Sequence, residues 1–229
     1  LGAEPGRTRQ HVLRIDREPE GAPAEAVRAR LAERLRALRG EVDAVLLSDY
    51  GYGLLDVELA EAARELAATG TVVVLDPRRR FDLFRGLSAI TPNLGELALA
   101  AQRPVEELAC AEDFARAAHA VLSRLSPEHL LVTLGNRGMS LFSRAAGASL
   151  VVPAAGSEAL DVSGAGDTAA AAFTLALAAG CDAARALRLA NAAAGVVVME
   201  PGAAACSLDK LRSALARAPV PSAAASVHA

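Results

Sequence analysis

Asp161-Val162-Ser163-Gly164-Ala165-Gly166-Asp167-Thr168 is the segment around which the rest of the chain can be arranged. An apolar run, Ser149 to Pro153, precedes it, and an alanine-rich run of helical character, Thr168 to Gly180, follows it. Gly164 and Gly166 therefore lie where a turn enters a helix, and the backbone there can turn sharply and approach a ligand closely. The first amides of a helix lack intrahelical partners and lie at the positive end of its dipole, so the segment predicts a phosphate-sized anion site.

Asp167 is the unexpected member of this segment, because a carboxylate repels a phosphate beside it. A carboxylate in this position would have a catalytic role if it accepts a proton from an attacking hydroxyl group. Two simpler interpretations stay open. A glycine-rich turn before a helix can be only a tight connection. The pattern Gly164-x-Gly166-x-x-Ala169 also fits a loose dinucleotide fingerprint, but that site needs a following strand, and a second helix pattern follows here. The chain contains no Gly-x-x-x-x-Gly-Lys-Ser/Thr loop, which argues against a P-loop nucleotidase.

The composition predicts one cytoplasmic α/β domain without a nucleic-acid or membrane partner. The chain has 229 residues and a net charge of -3, with acidic and basic residues mixed. Its three cysteines lack metal-ligand spacing and are typical of free thiols in a reducing compartment. The apolar runs are too short to span a bilayer, and no signal peptide is evident. We expect one domain over residues 1–218 and a disordered tail over residues 219–229. Because the chain begins with leucine, we also expect it to be a piece of a longer protein.

Strand and helix patterns alternate along the chain, which favours a parallel sheet covered by helices. Two short segments near the middle are typical of antiparallel edge strands. The predicted strands are 10–16, 43–48, 71–75, 88–91 and 129–135, the edge strands are 138–143 and 149–153, and the predicted helices are 23–38, 54–69, 111–125, 168–180, 182–198 and 207–216, with a further helix opening at 92–96.

Polar residues follow several of these strands, at the edge where parallel sheets bind ligands. Asp49 and Asp76 each follow a strand, although either could be only a helix or turn cap. Asn93 and Glu96 share a face of a first helical turn. They could hold Mg²⁺ through water or form a capping box, and the sequence does not separate these interpretations. The arginine run 78–80 could bind phosphate, but a solvated loop is the commoner meaning.

Several segments in fixed order resemble the PfkB, or ribokinase-like, family of carbohydrate kinases. These are the segment from Asp161 to Asp167, Asn93-x-x-Glu96, the strand end Val132-Thr133-Leu134-Gly135, and Asn191-Ala-Ala-Ala-Gly195. Within this family the chain is most similar to the D-glycero-β-D-manno-heptose-7-phosphate kinases of ADP-heptose synthesis, over residues 7 to 212. The resemblance implies an α/β, three-layer α/β/α fold with a mostly parallel central sheet, truncated at its N-terminus.

The resemblance also implies roles for individual residues. Asp167 would be the catalytic base that deprotonates the sugar hydroxyl attacking the γ-phosphoryl group of ATP, and the amides of Gly164, Ala165 and Gly166 would form the anion hole. Mg²⁺ would lie near Glu96, and K⁺ would lie near Asp161. Asp49 and Arg14 are expected to contact the sugar phosphate, and a homodimer is expected with residues 10–16 near its lid. The residues expected at the nucleotide are Asn93, Leu94, Gly95, Glu96, Thr133, Gly135 and Asn191.

The chain departs from the family pattern mainly where the sugar would bind. The N-terminal part that normally carries a glycine-rich sugar motif is absent. Tyr52 stands where these heptose kinases usually have lysine, and Ala203 replaces the usual threonine after Gly202. We therefore expect a sugar kinase for heptose 7-phosphate. Two alternatives are a kinase for another sugar and a non-catalytic remnant that keeps only the nucleotide half.

Overall fold

The computed structural model of the chain describes residue 15 and residues 21–146, 149–155, 163–202 and 204–224. Helices and strands alternate through the first half, and helices dominate the second half. None of the helices in these ranges combines the length and apolar character needed to cross a bilayer. The helices are α1 (Glu25–Ala37), α2 (Val57–Ala67), α3 (Leu94–Ala101), α4 (Ala111–Leu125), α5 (Ala165–Ala178), α6 (Ala183–Val197) and α7 (Leu208–Leu215), and the strands are β1 (Ala44–Ser48), β2 (Val72–Asp76), β3 (Ala89–Ile90), β4 (His129–Thr133), β5 (Met139–Ser143), β6 (Leu150–Val152) and β7 (Ser222–Ala223).

The strands form one sheet in the order β1-β2-β3-β4-β5-β6-β7. Strands β1 to β4 are parallel to one another, and β5, β6 and β7 each pair antiparallel with the strand before them. Each parallel strand is added on the same side of the one before it. When successive crossovers are right-handed and proceed in the same direction along the sheet, their helices lie on one face of it. Here α1 to α4 lie on one such face.

Strand β2 shows how the two helical layers enclose the sheet. Val73 and Leu75 point into the core formed with α1 to α4, and Val74 points into the core formed with α5 and α6. All three side chains are fully buried. A strand buried on both faces is typical of a parallel sheet, and it explains the unbroken apolar run in this part of the sequence. The architecture is therefore the three-layer α/β/α fold expected from the sequence.

Side-chain caps define where several helices begin. The Asp56 carboxylate accepts a hydrogen bond from the Leu59 amide at the start of α2, and Asp182 does the same for the Arg185 amide at the start of α6. Each cap satisfies one of the amides that a helix leaves without an internal partner. These aspartates are structural, in contrast with those described below.

The structure differs from the sequence predictions at two places. Helix α5 begins at Ala165 rather than at Thr168, so that Asp167 lies inside its first turn. The tail predicted to be disordered from Pro219 includes β7, whose Ser222 and Ala223 pair with β6, because a short extended segment can complete an antiparallel edge. The strand predicted at 10–16 lies outside the described residues, apart from the exposed Ile15.

The turn before β5 depends on a glycine. Gly138 has φ +94°, and a Cβ there would lie 2.0 Å from the Val152 carbonyl oxygen. Gly70, at the end of α2, has φ +93° with no atom within 4 Å of such a Cβ. A residue with a side chain would have a strained positive φ at either position. Only at Gly138 would its Cβ also clash with another part of the chain.

We expect Gly70→Ala to lower the free energy of unfolding by about 1 to 2 kcal/mol through left-handed strain alone. Gly138→Ala should lower it by about 3 to 5 kcal/mol, because β6 must also move. Urea unfolding followed by circular dichroism measures both values. Equal losses in the two variants would show that β6 yields easily at this turn.

Candidate active site

A cavity of about 180 Å³ lies at the carboxyl edge of the parallel strands. The loops after β1 and β2, the start of α3, the end of β4 and the first turn of α5 all contribute to its wall. Four carboxylates converge on a space of this size, together with a single arginine. The lining residues are Ser48, Asp49, Tyr50, Asp76, Pro77, Arg78, Thr91, Asn93, Glu96, Thr133, Gly166 and Asp167.

Asp167 reaches this cavity from the first turn of α5. Gly164 caps the helix with φ +77°, a backbone conformation that favours glycine. The first intrahelical bond runs from the Thr168 amide to the Gly164 carbonyl, at 2.9 Å. The amides of the turn before it are those that helix geometry leaves for a ligand. Asp167 is exposed, and its Oδ1 accepts a hydrogen bond from the Tyr50 hydroxyl at 3.0 Å.

The space in front of this first turn is open. A Cβ added at Gly164 or Gly166 would meet no atom within 4 Å. Gly164 is explained by its positive φ, but internal packing does not require a glycine at position 166. A missing side chain at the positive end of a helix leaves room for an anion to approach the backbone amides. The turn therefore fits the anion site predicted from the sequence.

Asp76 is a partly buried carboxylate at the end of β2. Its Oδ1 accepts a hydrogen bond from the Thr91 hydroxyl at 2.8 Å. The pKa of Asp76 is raised to about 6, first by burial and then by the nearby charges of Glu96 and Asp167, while Thr91 and Arg78 oppose the shift. These three carboxylates thus repel one another across the cavity, and a cation would relieve that repulsion.

Asn93 and Glu96 form a complete capping box at the start of α3. The Glu96 amide donates to Asn93 Oδ1 at 2.9 Å, and the Asn93 amide donates to Glu96 Oε2 at 2.8 Å. Glu96 Oε1 also pairs with the Arg78 guanidinium at 3.3 Å. The capping interpretation is confirmed, and because a carboxylate has about four acceptor positions, Glu96 can still accept a hydrogen bond from a metal-bound water.

Asp49 is held by backbone groups of two loops. Its Oδ1 accepts from the Gly51 amide at 2.8 Å, and its Oδ2 accepts from the Arg79 amide at 3.0 Å and the Arg78 amide at 3.3 Å. This arrangement satisfies the turn interpretation of Asp49. It also joins the loop after β1 to the loop after β2. The predicted contact between Asp49 and a sugar stays a prediction.

The other residues predicted at the nucleotide are dispersed. Thr133 lines the cavity, and Gly135 begins the next turn with φ +60°. Leu94 and Gly95 form the first turn of α3 and do not line the cavity. Asn191 is 2% exposed, and its amide group donates to the Pro153 carbonyl at 2.9 Å.

A second, larger cavity of about 730 Å³ lies between α6 and α7. Gly195 is one turn after Asn191 on α6 and forms part of its wall. Ala155 lies against Gly195, where any Cβ would be 2.1 Å from the Ala155 carbonyl oxygen. The rest of the wall is Ala154, Val196, Met199, Glu200, Asp209, Lys210, Ser213, Ala214, Arg217, Ala218 and Pro219.

The residues at the smaller cavity fit a hydrated Mg²⁺ better than a fully protein-bound metal. Within the described residues, no three His, Cys, Asp or Glu side chains are grouped closely enough to hold a metal ion alone. Mg²⁺ commonly keeps several waters and uses one or two carboxylates together with substrate phosphates. Glu96 and Asp76 supply such carboxylates at this cavity.

Two predicted site residues, Arg14 and Asp161, lie outside the described residues. Among the cavity residues that were not assigned a role from the sequence, Tyr50 and Thr91 donate hydrogen bonds to its carboxylates. Tyr50 directly follows Asp49 at a strand end, and an aromatic residue in a polar glycine-rich loop of a chain with 3% aromatic residues is a signal that could have identified it.

Comparisons with known proteins identify relatives of this chain. The chain is 41% identical over 211 residues to the bifunctional protein HldE of Azorhizobium caulinodans, covering 91% of this chain and 43% of that protein. It thus spans about two fifths of the length of the curated relatives it matches.

Solved structures share the fold. Phosphofructokinase-2 of Escherichia coli in complex with potassium superposes with a TM-score of 0.74 at 20% identity, covering 86% of this chain and 63% of that one. Ribokinase of Arabidopsis thaliana with ribose and ATP gives 0.67 at 24% identity, covering 86% and 61%. A family model described as pfkB family carbohydrate kinase matches residues 20–211. The chain therefore belongs to the pfkB family of carbohydrate kinases.

Proposed function

We propose that this chain transfers the γ-phosphoryl group of ATP to a hydroxyl group of a sugar. The observation that carries the proposal is the position of Asp167. Its carboxylate lies in the first turn of α5, behind two glycines, and faces a cavity that also contains Asp76 and Glu96. A proton acceptor beside an anion site and a cation site is what phosphoryl transfer to an alcohol requires.

In the proposed reaction, Asp167 accepts the proton of the sugar hydroxyl as its oxygen attacks the γ-phosphorus. The bond from that phosphorus to the bridging oxygen of ADP breaks, and the electron pair leaves with ADP. The amides of Gly164, Ala165 and Gly166 stabilise the negative charge of the transferring group. Glu96 and Asp76 would hold the waters of Mg²⁺, which when bound neutralises charge on the phosphates.

The proposal assigns the base and ribose of ATP to the cavity between α6 and α7. Its volume of about 730 Å³ lies within the usual range for small-molecule sites. Part of its wall is built of small residues, among them Ala154, Ala155 and Ala214, which leaves room for a flat ring. Asn191 would then act by fixing α6 to the Pro153 carbonyl rather than by contacting the ligand.

Heptose 7-phosphate, phosphorylated at its anomeric hydroxyl, is the sugar that the resemblance implies. The similarity to HldE proteins supports this choice. The presence of Tyr52 in place of the usual lysine favours the alternative that this chain binds nucleotide without turning over a sugar. K⁺ near Asp161, a homodimer and a cytoplasmic location are further parts of the proposal.

The first test is ATP turnover with heptose 7-phosphate and a panel of other sugars and sugar phosphates, in Mg²⁺ with K⁺ or Na⁺. Turnover that depends on one sugar supports the kinase proposal and identifies the substrate. ATP binding without turnover of any sugar would support the non-catalytic alternative. Sedimentation of the same preparation measures the oligomeric state.

We expect Asp167→Asn to lower turnover by about 100- to 10,000-fold, because the variant keeps the shape of the side chain but loses the proton acceptor. ATP affinity, measured by calorimetry, should change little. Asp182→Asn is the matched control, since it makes the same change at the N-cap of α6, and asparagine caps a helix as well as aspartate does. Full activity of Asp167→Asn would remove Asp167 from the role of base.

Asp76 gives the folded protein a pH dependence. Its pKa is about 6 in the folded chain against an ordinary value of 3.8, so the folded state favours its protonated form. That stabilising effect is complete below pH 4 and is lost as the pH rises through 6. Asp76→Asn should therefore become more stable relative to the natural chain by about 1 to 3 kcal/mol between pH 4 and pH 7.

Urea unfolding of both chains across this pH range measures the difference. A difference that does not change with pH would show that Asp76 is not perturbed. As a second check, Thr91→Val removes the hydroxyl that lowers the pKa of Asp76, so a carboxyl NMR titration should give a still higher pKa in that variant.

A further inference from the structure

The hydrogen bond between Tyr50 and Asp167 joins two distant parts of the chain. The Tyr50 hydroxyl lies 3.0 Å from Asp167 Oδ1, across 117 positions of sequence. Tyr50 is 60% exposed, so its ring is not placed there by burial in the core. Its position must instead come from the loop that carries it.

That loop is fixed by its backbone. Gly51 and Gly53 have φ +80° and +77°, which gives the loop two left-handed bends. Asp49 accepts hydrogen bonds from the Gly51 amide inside the loop and from the Arg78 and Arg79 amides of the neighbouring loop. The residues on both sides of Tyr50 are therefore held, and its side chain leaves the loop in the direction of α5.

We propose that Tyr50 is a positioning residue for the catalytic base: its hydroxyl holds Oδ1 of Asp167, so that Oδ2 is the oxygen presented to the sugar hydroxyl. This inference rests on the proposed role of Asp167 as that base. A carboxylate on an exposed helical turn can rotate, and a donor on one oxygen limits that rotation. Correct orientation of a reacting group makes a large contribution to rate.

A phenol suits this task better than a cationic side chain. A hydrogen bond to a charged acceptor is stronger than one between neutral groups. A lysine or arginine in the same place would bring a positive charge to the base and hold its negative form. The arginine of this cavity pairs instead with Glu96. The hydrogen bond to Asp167, followed by burial, raises the pKa of Tyr50 above 10.0, so the phenol remains a donor at neutral pH.

The contact itself can be tested without turnover, because the chain has two tyrosines and no tryptophan. In a Tyr52→Phe chain, Tyr50 is the only source of tyrosinate absorbance. We expect its ionisation midpoint to lie above 10.0 and to fall when Asp167→Ala is added, because the first cause of the raised pKa is then removed. Asp182→Ala in the same background should not move the midpoint.

An unchanged midpoint in the Asp167→Ala chain would overturn the inference, since the hydroxyl would then not contact the base in solution. Circular dichroism at each pH shows whether the chain is still folded where the midpoint is read.

The consequence for catalysis is tested with Tyr50→Phe, which removes the hydroxyl and keeps the ring. We expect kcat to fall by about 10- to 100-fold, with KM for ATP within about twofold of its natural value. Asp182→Asn, at the N-cap of α6 and outside the cavity, should leave both constants unchanged. Combining Tyr50→Phe with Asp167→Asn should cost no more than Asp167→Asn alone, because both act through one carboxylate.

The outcomes separate the two proposals. Full turnover in Asp167→Asn would mean that the base is misassigned and that the proposed function needs another. Loss of turnover in Asp167→Asn together with full kcat in Tyr50→Phe would overturn only the positioning role. If no sugar is turned over by the natural chain, the tyrosinate titration decides whether the contact exists.

Discussion

Strand β2 is buried on both of its faces, and this constraint fixes the edge of the sheet at which the polar side chains gather. Val73, Val74 and Leu75 are all fully buried. Val73 and Leu75 pack in the core on one face of the sheet, and Val74 packs in the core on the other face. Burying such a side chain stabilises the fold by about 1.5 to 3 kcal/mol. A shift of the strand by one residue would exchange the two sets of side chains and move Asp76 away from the cavity.

The helical layers supported by this sheet have different tasks at the cavity. The layer of α1 to α4 supplies Asn93 and Glu96 in a capping box, so that the groups that begin α3 are also the groups that face the cavity. The opposite layer supplies Asp167 from the start of α5. Between them lies Asp76 at the end of β2, whose pKa is raised first by burial and then by repulsion from the nearby charges of Glu96 and Asp167. Repulsion of this kind is a cost in stability that binding sites often carry.

The parts of this arrangement that depend on local pattern could be predicted from the sequence. The periodicity of the strand and helix patterns predicted the helical layers and the antiparallel strands β5 and β6. The glycines beside Asp167 predicted the turn into α5. Contacts between distant segments could not be predicted in the same way. The contact between Tyr50 and Asp167 depends on the conformation of the loop that carries Tyr50. Asn191 is buried, and its amide group donates to the carbonyl of the distant Pro153. Asp49 could be placed at a strand end, but only the structure reveals the amides that it accepts from.

The carboxylate of Asp49 has a thermodynamic consequence, because it bonds the loop that carries Tyr50 to the loop that carries Arg78. Arg78 is itself paired with Glu96 at the start of α3. The groups on the two sides of the cavity are therefore linked through one small network, and a ligand that displaces Arg78 does work on the loop of Tyr50. By linkage, the factor by which one ligand alters the affinity for a second must equal the factor by which the second alters the affinity for the first. Cooperativity between two substrates can thus arise here from a single aspartate that bonds both loops.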